Sequence, residues 1–401
     1  MKNINFYSSV IKINSDEHLI SSEVKLTYYC KERNIGILNF YIHKDMHFES
    51  ILCSKDSCYE VTKDTAEWNP FILESKLIRI SLVNPLLQGD AVDISFKYYG
   101  YINSVTEYGI NRLAKEWIEL GIYTPWFPLT ENIEEALFNT EIIIEDEYKV
   151  INGQKLGDSW MINQDTPQID CTIIASKDFN DISSSSSNPL IKVYYTLNDY
   201  KAEAYKILSY SNKILDCYRS FGVIEDKDLS IVIAPRELGG GYCRQGLIVL
   251  TPKEDKENEQ EYFRFLAHEI AHLWWNKSKA PHSFEDWLNE SFAEYSSLMA
   301  LREIFGTEDY NRIIDEYSKK SIGLPAVVDI DRYDENVYGV LYIKAPLILY
   351  RLEEKLQSEN FFMLLNKIHV NKISTTEELI KLLYCEFGKE TANCFKRDLC
   401  V

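Results

Sequence analysis

The chain is short of positive charge. Its 43 lysines and arginines face 62 aspartates and glutamates, for a formal net charge of −19. Phosphate backbones demand a basic footprint, so a general nucleic-acid binder is excluded. Long apolar runs are absent as well. Nothing approaches the roughly 20 consecutive apolar residues of a membrane helix, and MKNINFYSSVIKINSDEHL at the N-terminus lacks the apolar core of a secretion signal. Nine cysteines, at 30, 53, 58, 171, 217, 243, 385, 394 and 400, are odd in number and scattered. Cys53 and Cys58 stand close, but no second Cys/His pair completes a zinc knuckle. The expectation is a set of reduced thiols in a cytoplasmic protein with no integral membrane segment. The oligomeric state is not readable from these features.

What is present is a folded composition, 45% hydrophobic and 13% aromatic over 401 residues, enough for two or three domains. The first half reads as strands. Val24, Leu26 and Tyr28 alternate with polar neighbours, as do Val92, Ile94, Phe96 and Tyr98, and Ile169, Cys171 and Ile173. Gly89-Asp90 and Asn152-Gly153 mark turns between such runs. The serine run Ser183 to Ser187 reads as an exposed loop. After about residue 197 the period changes. LNDYKAEAYKILSYSNKILDCYRSFG predicts a long helix stopped by Gly222. LSIVIAP and LIVL predict short buried strands, residues 260–275 a helix, and Ser-Phe-Glu-Asp from Ser283 the start of another running to about Gly306. The expected architecture is α+β: an antiparallel β-rich domain over residues 1–196, then an α-rich domain with a small sheet over 197–401.

The chain has seven histidines, and two of them stand in HEIAH. His268 and His272 are four apart, a rotation of only about 40° on a helix, so both rings leave one face. Two imidazole nitrogens at about 2.0–2.1 Å suit Zn²⁺. Glu269, between them, is placed to take a proton from water at the metal. On the next helix Glu290 sits among Trp287, Leu288 and Phe292. A carboxylate on an apolar face is costly to bury without a partner, and zinc is such a partner. The set becomes His₂Glu with a fourth position open. The competing readings are a surface glutamate at 290 and His282 as third ligand. His282 does not match the metzincin spacing, where this chain has Ser278. Glu294, one turn beyond Glu290, is either an orienting partner for an imidazole or a solvated side chain.

HEIAHLWWN followed by WLNESFAEY resembles the zinc aminopeptidases related to aminopeptidase N and the leukotriene hydrolases, a gluzincin family that reads HExxHxW and then WLNEGFA. FKYYGYINS with TPWFPLTEN resembles the late part of that family's N-terminal β domain. VYGVLYIKAPLILYRLEEKL resembles the segment that carries its catalytic tyrosine. The likeness covers most of the chain and is strongest from about 229 to 352. It implies a saddle-like β domain followed by a thermolysin-like α/β catalytic domain, in a short form without the larger relatives' helical C-terminal extension. It also implies one zinc per chain, a peptide substrate, release of N-terminal residues, and Tyr342 as oxyanion stabiliser with Lys344 as the motif's lysine.

Three departures stand out. The gap between His272 and Glu290 is one residue shorter than the family's usual one, and Ser291 replaces a glycine. The family's Gly-x-Met-Glu-Asn segment, whose glutamate binds the substrate's amine, is here GGGYCRQG, with Cys243 in place of the glutamate. A neutral thiol does not attract an ammonium as a carboxylate does. The backbone of Gly239, Gly240, Gly241 and Tyr242 can still approach a peptide, unless the glycines only form a turn. A phosphate cradle is disfavoured because no GK[ST] follows. Glu119 is the weaker candidate for a second amine anchor. Cys243 also keeps open a non-catalytic peptide- or partner-binding role for the same fold.

Overall fold

The computed structural model describes residues 3–69, 72, 74–103, 113–184, 189–224, 228–236, 240–252, 258–278 and 283–401. The chain divides into two compact units. The first is Met1–Asn180 with Tyr195–Leu197 and Ala234–Gly240; the second is Asp181–Tyr194, Asn198–Ile233 and Gly241–Val401. The boundary expected at 196/197 falls just after strand Leu190–Tyr195, which pairs with Asp228–Ile233 in the second unit's sheet.

The first unit is built on a seven-stranded sheet. Its order is Gln154–Leu156, Ser159–Asn163, Ala136–Ile143, Asn5–Asn14, Leu19–Tyr29, Ala91–Tyr101 and Met46–Cys53. Period-two patterning explains its buried face: Val92, Ile94, Phe96 and Tyr98 all point into the core, each 1% exposed or less, while their neighbours face out. Gly89 and Asn152 adopt the positive φ that the turn reading required. One pairing differs from the antiparallel expectation. Asn5–Asn14 runs parallel to Ala136–Ile143, because the chain returns to that edge only after a long excursion. A four-stranded sheet, Ser57–Val61, Ser75–Leu86, Ile35–His43 and Leu129–Thr130, and a three-stranded one complete the unit.

In the second unit a five-stranded sheet runs Asn180–Ser183, Leu190–Tyr195, Asp228–Ile233, Leu247–Leu250 and Tyr242–Arg244, the last an antiparallel edge strand. The serine run begins in the first of these, and its residues 185–187 lie outside the described residues. The helices are α1 (Lys201–Tyr218), α2 (Glu259–Ala271), α3 (Trp287–Phe305), α4 (Thr307–Lys320), the short α5 (Val337–Gly339), α6 (Ala345–Leu356), α7 (Ser358–Val370) and α8 (Thr376–Leu399). α1 ends in a 3₁₀ turn at Gly222, whose φ of 126° no ordinary side chain tolerates well. α2 is shorter than the sequence suggested. It stops at Ala271 because the amides of both Trp274 and Trp275 fold back onto the Ala271 carbonyl, tightening the last turn. Before α3, the Ser283 hydroxyl accepts from the Glu285 amide and caps a 3₁₀ turn, not the α-helix directly.

Fourteen of the nineteen residues of α3 are buried, which makes it the unit's central helix. Its buried polar groups have partners inside the protein. Ser296 accepts from the Trp275 indole at 2.9 Å, Ser297 donates to the Glu294 carbonyl at 2.7 Å, and Asn289 donates to Asp286 at 3.0 Å. No helix among the described residues is long and apolar enough to cross a membrane.

Candidate metal centre

The site is assembled where α2 meets α3 and the turn that precedes α6. Asn258 caps α2 by accepting from the Glu261 amide at 3.2 Å, and Glu259 and Glu261 in the first turn suit the helix dipole. His268 follows at the buried end, and His272 is the cap residue that closes the helix. On α3, Trp287, Leu288 and Phe292 are buried and fix the helix against its neighbours, which leaves Glu290 aimed at the two imidazoles.

The three donor atoms converge. His268 Nε2 lies 3.2 Å from His272 Nε2 and 3.3 Å from Glu290 Oε2, and His272 Nε2 lies 3.7 Å from the same oxygen. Among the described residues this trio is the one group of three or more such side chains with ligand atoms gathered within 4.8 Å. Tetrahedral zinc with bonds of about 2.0–2.1 Å sets its ligand atoms about 3.3–3.4 Å apart, so the spacing fits that ion.

Hydrogen bonding sharpens the fit. His272 Nδ1 faces the Trp275 carbonyl at 3.0 Å, and a carbonyl only accepts. His272 therefore carries a proton on Nδ1, which turns Nε2 toward the cluster. His268 Nδ1 faces the Glu294 carboxylate at 3.2 Å, which again favours a proton on Nδ1. Both Nε2 atoms and an anionic oxygen then point at one spot, which calls for a positive charge among them. Burial opposes charge on His268, yet Glu290 and Glu294 lift it to about 10, so a metal ion at this spot would take the place of a proton on Nε2. Burial alone would raise both carboxylates. The histidines and the Tyr342 hydroxyl instead draw Glu290 down to about 2, and Arg264, His268 and Tyr317 do the same for Glu294.

Glu269, 6% exposed, has its carboxyl raised, first by burial, with the nearby imidazoles opposing. Its carboxyl packs on Gly241. A Cβ at Gly241 would stand 2.6 Å from Glu269 Cδ, so only glycine fits there with the glutamate in place. Tyr342 lies in a π-helical turn, Val340–Lys344, a type of irregularity that recurs at functional sites. Its hydroxyl donates to Glu290 Oε2 at 2.7 Å, and its ring stacks on that of Tyr338, 4.6 Å away. Burial and the Glu290 charge hold the phenol well above its ordinary value. Lys344 donates to the carbonyls of Leu324 and Pro325 at 2.8 and 2.7 Å, anchoring the far end of the turn.

The structure thus brings His268, Glu269, His272, Glu290, Glu294 and Tyr342 together. Arg264 and Tyr317, which grip Glu294 from behind, carried no sequence motif; Tyr317 donates to it at 2.7 Å. Arg264 does lie one helical turn before His268, but Tyr317 comes from α4 with no local signal. Gly239 and His282 lie outside the described residues. Gly240, in the first unit, accepts from Arg236 at 3.1 Å, and Tyr242 is buried on the edge strand. Glu119, also in the first unit, is fully buried, ion-paired to Arg236, and accepts from the Trp117 indole at 3.0 Å. An internal guanidinium already neutralises the charge it would offer an ammonium.

No protein-family model matches the chain. Endoplasmic reticulum aminopeptidase 2 of Bos taurus is 28% identical over 135 residues, 31% of this chain and 14% of that protein. Probable aminopeptidase 1 of Saccharolobus solfataricus is 22% identical over 221 residues, 49% of this chain and 28% of that protein. The match thus spans less than a third of the length of either relative. Among solved structures, an M1 zinc metallopeptidase from Deinococcus radiodurans superimposes with a TM-score of 0.73 at 15% identity, covering 100% of this chain and 93% of that one. A mutant form bound to a Tyr-Ser-Ala substrate gives 0.69 at 14%, covering 99% and 94%.

Removing Glu294 tests the orienting network. Glu294→Ala should leave the three ligand atoms in place but weaken zinc binding about 10–100-fold, measured by competition with a chromophoric chelator. Unchanged affinity would show that His268 needs no such support.

In its motifs and in its sheet-rich first domain and helical second domain, the chain resembles the aminopeptidase N-like gluzincins and has the fold of the two-domain M1 zinc metallopeptidases.

Proposed function

We propose that this protein is a cytoplasmic zinc-dependent peptidase of the aminopeptidase type, with one zinc ion per chain held by His268, His272 and Glu290. The observation that carries the reading is the convergence of those three donor atoms, with Glu269 and Tyr342 beside them. Zinc at such a site supplies a Lewis acid and lowers the pKa of its water to about 7.

The chain's own residues do the rest. Glu269 is the general base: it takes the proton of the attacking water and passes it to the leaving amine. A carboxyl raised by burial takes the water's proton more readily than an exposed carboxylate would, and it can still pass that proton on to the far more basic leaving amine. Gly241 keeps the carboxyl where it is. The Tyr342 hydroxyl, held protonated by burial, donates to the oxyanion that develops on the scissile carbonyl. Glu294 fixes the tautomer and angle of His268. The edge strand Tyr242–Arg244 with Gly241 before it offers backbone for a peptide to pair with. Nine free cysteines support a reducing compartment.

Removal of N-terminal residues is supported by the aminopeptidase names of both relatives and by the solved structures bound to Tyr-Ser-Ala, L-arginine and L-tryptophan. Cys243 bears on this directly, since a thiol stands where the resembled motif carries its amine-binding carboxylate. A panel of aminoacyl, blocked and internally quenched peptides, with and without chelator, tests the reading. Chelator-sensitive release from free-amine substrates alone supports an aminopeptidase. Cleavage of blocked peptides would make it an endopeptidase, and no cleavage by zinc-loaded protein would leave only peptide binding.

Three substitutions test the roles on a cleaved substrate. Glu269→Gln should retain zinc and lower kcat by roughly 10²-fold or more; an unchanged kcat would remove Glu269 as base. Tyr342→Phe should cost on the order of 10²–10³ in kcat with the fold intact by circular dichroism, and a negligible effect would remove the hydroxyl from the mechanism. Gly241→Ala should push the Glu269 carboxyl aside, leaving zinc content unchanged while kcat falls on the order of 10²-fold. Full activity there would show that the base tolerates displacement.

A further inference from the structure

Ser291 follows the ligand Glu290 on α3 and is fully buried. Its hydroxyl donates to the Leu341 carbonyl at 2.7 Å. A buried hydroxyl needs a partner, but here the acceptor is the informative half of the pair.

Leu341 is buried inside the π-helical turn Val340–Lys344. In an α-helix its carbonyl would accept from the amide of Ala345. That amide is bonded to the Val340 carbonyl instead, five residues back. If the five-residue spacing continued, the donor for Leu341 would be residue 346. That residue is proline, which has no N–H. Both helical ladders therefore pass the Leu341 carbonyl by, and the Ser291 hydroxyl supplies the bond the backbone cannot.

We propose that Ser291 is a positioning residue for Tyr342. Two consecutive residues of α3 hold two consecutive residues of the turn: Glu290 accepts from the Tyr342 hydroxyl at 2.7 Å, and Ser291 binds the carbonyl of Leu341. The second bond fixes the register of the turn, and so the depth at which the phenol sits beside the ligand cluster. Glycine at 291 has no donor to offer. The serine and Pro346 are thus two halves of one device: the proline removes a backbone donor and the serine replaces it. The inference rests on the role given above to Tyr342.

The test uses zinc-loaded protein and two readouts: hydrogen exchange of the Val340–Lys344 amides, and kcat and KM on a cleaved peptide. The variants are Ser291→Ala, Ser291→Ala with Pro346→Ala, Tyr342→Phe, and Ser291→Ala with Tyr342→Phe. Losing one buried hydrogen bond should speed exchange in the turn about tenfold or more. It should lower kcat about tenfold, with KM changed less than about twofold. Pro346→Ala, which returns an amide to residue 346, should recover most of both losses. In the Tyr342→Phe background, Ser291→Ala should cost nothing further in kcat.

Unchanged exchange in Ser291→Ala, a loss carried by KM, or a loss of equal size in the Tyr342→Phe background each overturn the inference. If Ser291→Ala does not fold, the double variant with Pro346→Ala decides: folded, active protein supports the device and its continued failure overturns it. Full activity of Tyr342→Phe alone is a different result. It removes the role of Tyr342 and with it the catalytic half of the inference, while exchange still judges whether Ser291 holds the turn.

Discussion

Three donor atoms that need a positive charge among them are held within 3.2–3.7 Å at the meeting of α2 and α3. Two are imidazole Nε2 atoms whose direction is set from behind by the Trp275 carbonyl and the Glu294 carboxylate. The third is an anionic oxygen. Such a cluster relaxes by swinging its side chains apart unless something positive sits at its centre. Here the packing forbids that swing, because Trp287, Leu288 and Phe292 are buried around Glu290 and both imidazoles are tethered at Nδ1. The fold thus holds the three donors in place, and a divalent cation, taking the place of a proton, would serve all of them at once.

Holding those donors explains the composition of α3. α3 is buried almost all round, yet it carries Asn289, Ser291, Glu294, Ser296 and Ser297. Each polar group has an internal partner, and several of those partners lie near the site. Glu294 is held ionised inside the protein against burial by Arg264, His268 and Tyr317, and it supports the charge on His268 in turn. Asp286 is tied to Arg332 at 3.0 Å and accepts from Asn289. An apolar α3 would be easier to bury but would leave the imidazoles free to turn.

The meeting of these side chains was legible because helical geometry writes it into the spacing. His268 and His272 are one turn apart, Glu290 and Glu294 are one turn apart, and the period predicts which face each occupies. The strand pattern at Val92, Ile94, Phe96 and Tyr98 was legible for the same reason with a period of two. What escaped were contacts between elements distant in sequence. Tyr317 reaches Glu294 from α4, and Ala136–Ile143 pairs in parallel with the first strand, and no local rule encodes either. The end of α2 was misplaced because Leu273, Trp274 and Trp275 extend its apolar pattern, while their amides fold back to residues 270 and 271. Hydrophobicity is visible in a sequence; the choice between a three- and a four-residue hydrogen bond is not.

The departures from the family pattern also differ in kind once the structure is in hand. Ser291 in place of glycine is, in the sequence alone, a small residue replacing a smaller one. In the fold it answers a vacancy that Pro346 creates fifty-five positions later, so the two residues have meaning only as a pair. The Glu269–Gly241 contact shows the same logic in reverse. A glutamate of ordinary size keeps its place only because the facing residue has no side chain at all. In both cases a residue beside the donor cluster is set by a partner that only packs or hydrogen-bonds, one by adding a hydroxyl and the other by withholding a methyl. A site of this type is therefore specified as much by the residues that fix its backbone as by those that touch a substrate, and the former are the ones a motif leaves unwritten.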